Sequence, residues 1–172
     1  MTRDIEFRAD LERYPSRPFL REQSIWAIWV YRFGRRIMKR KEGIYRRLLI
    51  SVYWLLFRTV ETITGISIPS SVQIGPGLRI YHFGNIFVHS DVVIGRNCTL
   101  RQSVTIGNRH AEGGAPTIGD NVEFGACAVA IGPIHIGSGA KIGPLTLVTF
   151  DVPENATVLG NPGKIYPALK PQ

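Results

Sequence analysis

Along the second half of the chain, aliphatic side chains return every sixth residue. From Val88 the positions 94, 100, 106, 118, 124, 136, 142 and 148 carry Val, Ile, Leu or Phe, and Ala130 fills one further slot. Ile74, Ile80 and Ile86 share an earlier phase, which slips by two residues before Val88. Aliphatic-Gly pairs mark many of these steps, as at Ile74-Gly75, Ile94-Gly95, Ile118-Gly119 and Ile136-Gly137. A six-residue period fits neither an α-helical stripe nor an alternating strand. It predicts a mainly β chain: a parallel β-helix of hexapeptide repeats, with aliphatic residues stacked inside and Gly, Asn and Asp at the corners. The stretch "GNRHAEGGAPTIG" breaks the period, because Glu112 stands where an aliphatic is due and the phase resumes at Ile118. A loop leaving the solenoid over 108–117 follows, and loops on rigid scaffolds are where binding groups concentrate.

The first half follows another pattern. Ile25, Trp29, Phe33 and Ile37 fall near one helical face, and Gly43 separates them from a second apolar segment, so two helices are expected there. The predicted organisation is a basic helical region over 1–64, a β-helix over 65–164 and a tail over 165–172. Leu48 to Phe57 is uncharged but too short to span a bilayer as a helix. A core helix, a subunit contact and a membrane-surface anchor are all open for it, packing being the commonest use.

Charge sharpens this division. Residues 1–60 hold 14 Lys and Arg against 6 Asp and Glu, while residues 61–172 hold 7 of each, so the net charge of +8 lies in the helical part. An anionic membrane or glycan would suit it. Nucleic acid is disfavoured, since the charges accompany aliphatic segments and no binding motif appears. The two cysteines, Cys98 and Cys127, make no disulfide framework, and "MTRDIEFRADLERYP" has no apolar signal region, which predicts a cytoplasmic protein, with contact at the inner membrane face as one option.

The run "IYHFGNIFVHSDVVIGRNCTLRQSVTIGNRHAEGGAPTIGDNVEFGA", with "VPENATVLGNPGKI" and the earlier "VYRFGRR", resembles the hexapeptide-repeat acyltransferases over roughly Tyr31 to Ile165. Within them it is similar to the serine acetyltransferase-like branch, and most closely to the O-acetyltransferases of bacterial capsule and exopolysaccharide synthesis, such as the colanic acid type. The resemblance implies a left-handed β-helix, homotrimers or a dimer of trimers, and acetyl-CoA bound between adjacent subunits, with no metal. It assigns His82 as the catalytic base. The chemistry suits an imidazole, which titrates near neutrality and can take a hydroxyl proton as a thioester carbonyl is attacked. From the residues alone, a histidine hydrogen-bonded at a strand corner is the favoured reading, and only the motif reverses that. A backbone N–H at Gly107-Asn108 is the candidate oxyanion donor.

The resemblance also places Gly107, Ala126 and Pro144 along the pantetheine arm, with Lys141 and Lys164 as candidates for the phosphates. His89 and His110 are candidate acceptor contacts; His135, between Ile134 and Ile136, reads as an ordinary outward residue. Departures from serine acetyltransferase shape the acceptor expectation. Tyr81 stands where that enzyme has an Asp before the catalytic His, Ser67 where it has the Asp that orients the imidazole, and Gly114-Ala115 where it has an Arg-His pair. Without those charges a free amino acid has few partners. A saccharide hydroxyl is therefore expected as acceptor, stacked on Tyr81 or Phe83 and hydrogen-bonded by Asn85, Asn108 or His110. The alternatives are a serine O-acetyltransferase and a non-catalytic β-helix. A zinc enzyme of the γ-class carbonic anhydrase kind is disfavoured by the absent His-x4-His spacing.

Overall fold

The computed structural model describes residues 5–110 and 113–167. Its β part is a three-sided parallel coil. One face carries β1 (Ile66–Ser67), β4 (Ile86–Val88), β7 (Thr105–Gly107), β10 (Val129–Ile131) and β13 (Leu147–Val148). The second carries β2 (Gln73–Ile74), β5 (Val93–Ile94), β8 (Thr117–Ile118) and β11 (His135–Ile136). The third carries β3 (Arg79–Tyr81), β6 (Thr99–Arg101), β9 (Glu123–Phe124), β12 (Lys141–Ile142) and β14 (Thr157–Leu159), closed by the antiparallel β15 (Lys164–Tyr166). β15 crosses the expected start of the tail at 165, and residues 168–172 lie outside the described residues.

The six-residue period is the geometry of this coil. Ile74, Ile94, Ile118 and Ile136 sit in register on the second face, and Ile80, Leu100, Phe124, Ile142 and Val158 on the third. All are buried in one core. The turn that takes the bulky Phe124 takes Ala130 on the next face, as a core of fixed cross-section requires. Where glycine follows the aliphatic, as at Gly75 and Gly137, it has a steric cause. A Cβ on Gly75 would lie 2.8 Å from the carbonyl carbon of Gly95, and one on Gly137 would lie 2.5 Å from the amide nitrogen of Glu154. Successive coils approach too closely there for any side chain.

Four helices cap the open end of the coil: α1 (Ile5–Glu12), α2 (Pro18–Arg21), α3 (Ser24–Met38) and α4 (Ile44–Thr64). Only two were expected. The face that α1 buries holds Asp10, so no apolar periodicity marks it. The first coil presents backbone groups with no preceding strand to pair them, and side chains of the helices meet them. Tyr31 Oη accepts from the Ile74 amide at 3.1 Å and donates to the Val72 carbonyl at 3.0 Å; Tyr14 Oη accepts from Ile80 N at 3.2 Å; Tyr53 Oη accepts from Ser70 N at 3.0 Å. Asp10 accepts from the amides of Gly77 and Leu78 at 2.8 and 2.7 Å and is clamped by Arg32, which also donates to the carbonyls of Ile74 and Gly75. Among the described residues no helix is long and apolar enough to cross a membrane.

Candidate functional site

His82 follows β3 at the corner where the third face turns into the first. Register shows that this corner differs from those stacked on it. Tyr81 pairs with Arg101 before the corner and Phe87 with Thr105 after it, so five residues here do the work of three in the next coil. The backbone bonds agree: Ser103 N donates to Gly84 O, Cys127 N to Gln102 O and Leu145 N to Ala126 O. Asn85, Ser103, Cys127 and Leu145 are therefore equivalent, and all have positive φ, between 53° and 60°. Gly84, Gln102, Ala126 and Pro144 form the column before them. The two extra residues are His82 and Phe83, which explains the two-residue slip in the repeat. Both are exposed, and His82 carries its own left-handed φ of 66°. Among the described residues the imidazole has no hydrogen-bond partner, which leaves both ring nitrogens available.

Beside His82 lies a cavity of about 340 Å³, walled by residues 21–24 of the helical cap and by Arg79, Tyr81 and Phe83. Arg79 is its fixed charge. Its guanidinium donates to both carboxylate oxygens of Glu22 at 2.5 and 2.9 Å, lies 3.8 Å from the Tyr14 ring centroid and 4.2 Å from that of Tyr81, and leaves Nε without a partner. Burial pulls its pKa down, but the bonds from Glu22 and Tyr14 outweigh it and hold Arg79 above its ordinary value. Arg101 covers the Tyr81 ring from the next coil, 5.4 Å from the centroid. Burial pushes the Tyr14 hydroxyl up, against bonds to Ser24 and Ile80, so it remains a neutral donor.

From Tyr81 a groove of about 290 Å³ runs down the third face, lined by Arg13, Arg101, Glu123, Gly125, Lys141 and Gly143 among others. Arg13 is anchored there by bonds to the carbonyls of Gly77 and Cys98. Ala126 and Pro144 flank this groove at the His82 corner column, and Lys141 projects from it. Small residues and three cations in one trough fit an extended, phosphate-bearing thioester. Among the described residues no three His, Cys, Asp or Glu groups converge as metal ligands.

Other expected site residues lie elsewhere. His89, a candidate acceptor contact, does not stand beside His82: all of β4 separates them, and His89 sits at the next corner over Gly107, where a Cβ would lie 3.5 Å from the His89 Cβ. Gly107 and Asn108 share that corner. Asn108 Nδ2 donates to the His110 carbonyl at 2.7 Å, fixing the start of the excursion, and His110 is exposed on it. Glu112 falls outside the described residues. Ser67 stands in β1 opposite Phe87, not His82, and makes no hydrogen bond to the imidazole. Lys164 lies exposed in β15. Within one chain, then, His82, Ala126 and Pro144 share one edge while His89, Gly107, Asn108 and His110 share another. Sequence reasoning missed Arg79, Glu22, Arg13 and Arg101, because the repeat carries no sign of which outward residues the helical cap covers.

No family model matches the chain. It is 35% identical over 141 residues to the serine acetyltransferase of Bacillus licheniformis, covering 81% of this chain and 62% of that one. The chain thus spans less than two thirds of that relative. The solved serine acetyltransferase of Neisseria gonorrhoeae superposes with a TM-score of 0.80 at 32% identity, covering 98% of this chain and 65% of that one. The soybean serine acetyltransferase complexed with serine gives 0.78 at 30% identity, with 94% and 67% covered. A serine acetyltransferase in complex with CoA gives 0.77 at 27% identity, with 95% and 67% covered. These matches overturn the expectation of a capsular or exopolysaccharide O-acetyltransferase, since each is a serine acetyltransferase. The physical error was to compare charges position by position: Tyr81, Ser67 and Gly114-Ala115 are uncharged, but Arg21, Glu22 and Arg101 bring charge to the His82 corner from other elements. In fold, repeat and sequence, the chain belongs to the hexapeptide-repeat β-helix acyltransferases of the serine acetyltransferase type.

Proposed function

We propose that the chain is an acetyl-CoA-dependent O-acetyltransferase whose acceptor is the hydroxyl of serine, with His82 as general base. The observation that carries this is the two-residue insertion that lifts His82 out of the repeat, beside a charged cavity and at the head of a cationic groove. The imidazole takes the serine hydroxyl proton as that oxygen bonds to the acetyl carbonyl carbon. The carbon–sulfur bond then breaks, and the same proton returns to the departing thiolate, giving O-acetylserine and CoA thiol. Arg21 and Arg101 suit the carboxylate of the amino acid and Glu22 its ammonium, each a charge-assisted contact. Arg13 and Lys141, further along the groove, suit the phosphates of CoA.

The base and the proposed oxyanion donors at Gly107-Asn108 lie on different edges of one coil. A threefold assembly, with the His82 edge of one chain against the Gly107 edge of the next, would bring them together. That favours a homotrimer with the donor bound between chains.

The test is thiol release from acetyl-CoA, with serine and with a panel of sugars. Release that saturates with serine and is absent with sugars is expected. His82→Ala should lower it by about 10²–10⁴-fold without changing the assembly's mass. No serine-dependent release would overturn the acceptor, and a loss below tenfold in His82→Ala would overturn the base.

A further inference from the structure

α4 buries one side and leaves another apolar side open. Tyr53, Phe57 and Thr64 are buried against α3 and the first coil, with Leu49, Ile50 and Val60 packed beside them. On the far side, Ile44, Leu48, Leu55 and Ile63 are 83, 62, 70 and 58% exposed. At about 100° per residue Ile44, Leu48 and Leu55 fall within about 40° of one line of the helix, a stripe about 17 Å long at 1.5 Å per residue, with the exposed Val52 and Ile63 beside it. Exposed apolar surface of this extent and continuity marks an interaction site.

The border of the stripe says what occupies it. Arg47 and Arg58 run along one margin, and Arg40 and Lys41 precede its first turn. Arg40, Lys41 and Arg47 make no ion pair among the described residues. The neighbouring acids are already engaged, Glu42 with Arg46 at 3.6 Å and Glu61 with Arg58 at 2.8 Å. The amphipathic rings of Tyr45 and Trp54 are also exposed, at the margins. Stripe to stripe, two copies of this surface would bring together unneutralised cations with no free carboxylate between them. Anionic phosphates would neutralise those cations while acyl chains cover the leucines.

We infer that the outer face of α4 docks the protein on an anionic lipid bilayer, with the helix lying in the plane of the headgroups. The contact is peripheral, as the helix is not apolar enough to cross. The His82 cavity is walled by residues 21–24 and β3 with no residue of α4, so the contact leaves its lining untouched. The inference does not depend on the acceptor of the transfer reaction.

Vesicle flotation of the full chain tests it, comparing pure phosphatidylcholine with a mixture containing phosphatidylglycerol. The protein should float with the anionic vesicles and be released by salt. Replacing Leu48→Ser and Leu55→Ser together should weaken partition by about a hundredfold or more, from the apolar area withdrawn. Arg40→Gln, Lys41→Gln and Arg47→Gln together should weaken it by roughly a hundredfold, about fivefold for each charge. Light scattering should show the same assembly mass in every variant. No flotation with anionic vesicles would overturn the inference. So would undiminished flotation of both variants, or a leucine variant that changes assembly mass but still floats, since the stripe would then be a contact between copies.

Discussion

Replacing Asp10 by alanine should cost about 5 kcal/mol of stability, a large share of what a domain of this size has. The carboxylate is 0% exposed and binds four donors. Oδ2 accepts from Arg32 Nε at 2.7 Å; Oδ1 accepts from Arg32 Nη2 at 3.0 Å and from the amides of Gly77 and Leu78 at 2.8 and 2.7 Å. Burial pushes the Asp10 carboxyl up, against the pull of Arg32 and the two amides, while Asp10 holds the Arg32 guanidinium above its ordinary value in spite of burial. Alanine would leave two buried amides unpaired and a guanidinium 1% exposed without its main counter-ion. Arg32 retains Glu6 at 3.1 Å and the carbonyls of Ile74 and Gly75 at 2.8 and 2.7 Å, which keeps the loss of the ion pair near the lower end, about 3 kcal/mol. Each orphaned amide adds about 1 kcal/mol or more. The assay is urea unfolding followed by circular dichroism, at one chain concentration because assembly contributes to stability. Asp10→Leu with Arg32→Met should recover most of the loss, since both charges then leave together. A loss under about 1 kcal/mol, or a double-mutant cycle with no coupling, would refute the view that this pair fastens the helical cap to the coil.

Two further perturbations test the coil itself. In Gly137→Ala the new methyl would meet Glu154 N at 2.5 Å and Pro153 C at 2.8 Å, so the last coil must shift, and a drop of about 1–3 kcal/mol in unfolding free energy is expected; an unchanged midpoint would show slack between coils. At pH 8, Ellman's reagent should label the exposed Cys127 quickly and leave Cys98 untouched, because burial pushes the Cys98 thiol up to about 11; fast reaction of both would contradict that burial. The folded thiol holds its proton after the unfolded one, with a pKa of about 8.5, has released it. Its linkage therefore subtracts stability as pH rises through that value toward about 11, and adds none back below it.

The coil was legible because its cause is local and repeated. Each inward position must be small or aliphatic to fill a column, and at corners such as Gly75, Gly95, Gly119, Gly125 and Gly137 the following position must be glycine to let the next coil approach, so one steric rule is written many times between Ile74 and Val148. The helical cap was legible only where it buries an amphipathic face, as in α3. α1 is held by Asp10, and the partners of Asp10 are backbone amides 67 and 68 residues away. Nothing in a hydrophobic pattern announces a carboxylate that serves as the edge partner of a β-helix. The same holds for Arg79: its neighbours Leu78 and Ile80 fit the repeat, but its burial comes from Tyr14 and Glu22, contributed by the cap.

The site shows where such local logic carries and where it stops. The two-residue slip between Ile86 and Val88 was visible as a phase error in the repeat, and in the coil it resolves into the His82-Phe83 insertion. A solenoid tolerates extra residues only at a corner, where they can leave the stack without breaking a column of the core. The slip marked where the repeat breaks, but it was the family resemblance that singled out His82 within it. The acceptor was different. Charge at the corner was sought at three aligned positions, Ser67, Tyr81 and Gly114-Ala115, as if each contact had to come from the same place in the repeat. Recognition requires only that opposite charges stand at the right separation around the reacting hydroxyl, and those charges can come from any element that reaches the corner. The junction of α2 and α3 reaches it with Arg21 and Glu22, and the second coil reaches it with Arg101. Uncharged residues at the aligned positions therefore do not by themselves exclude a zwitterionic acceptor.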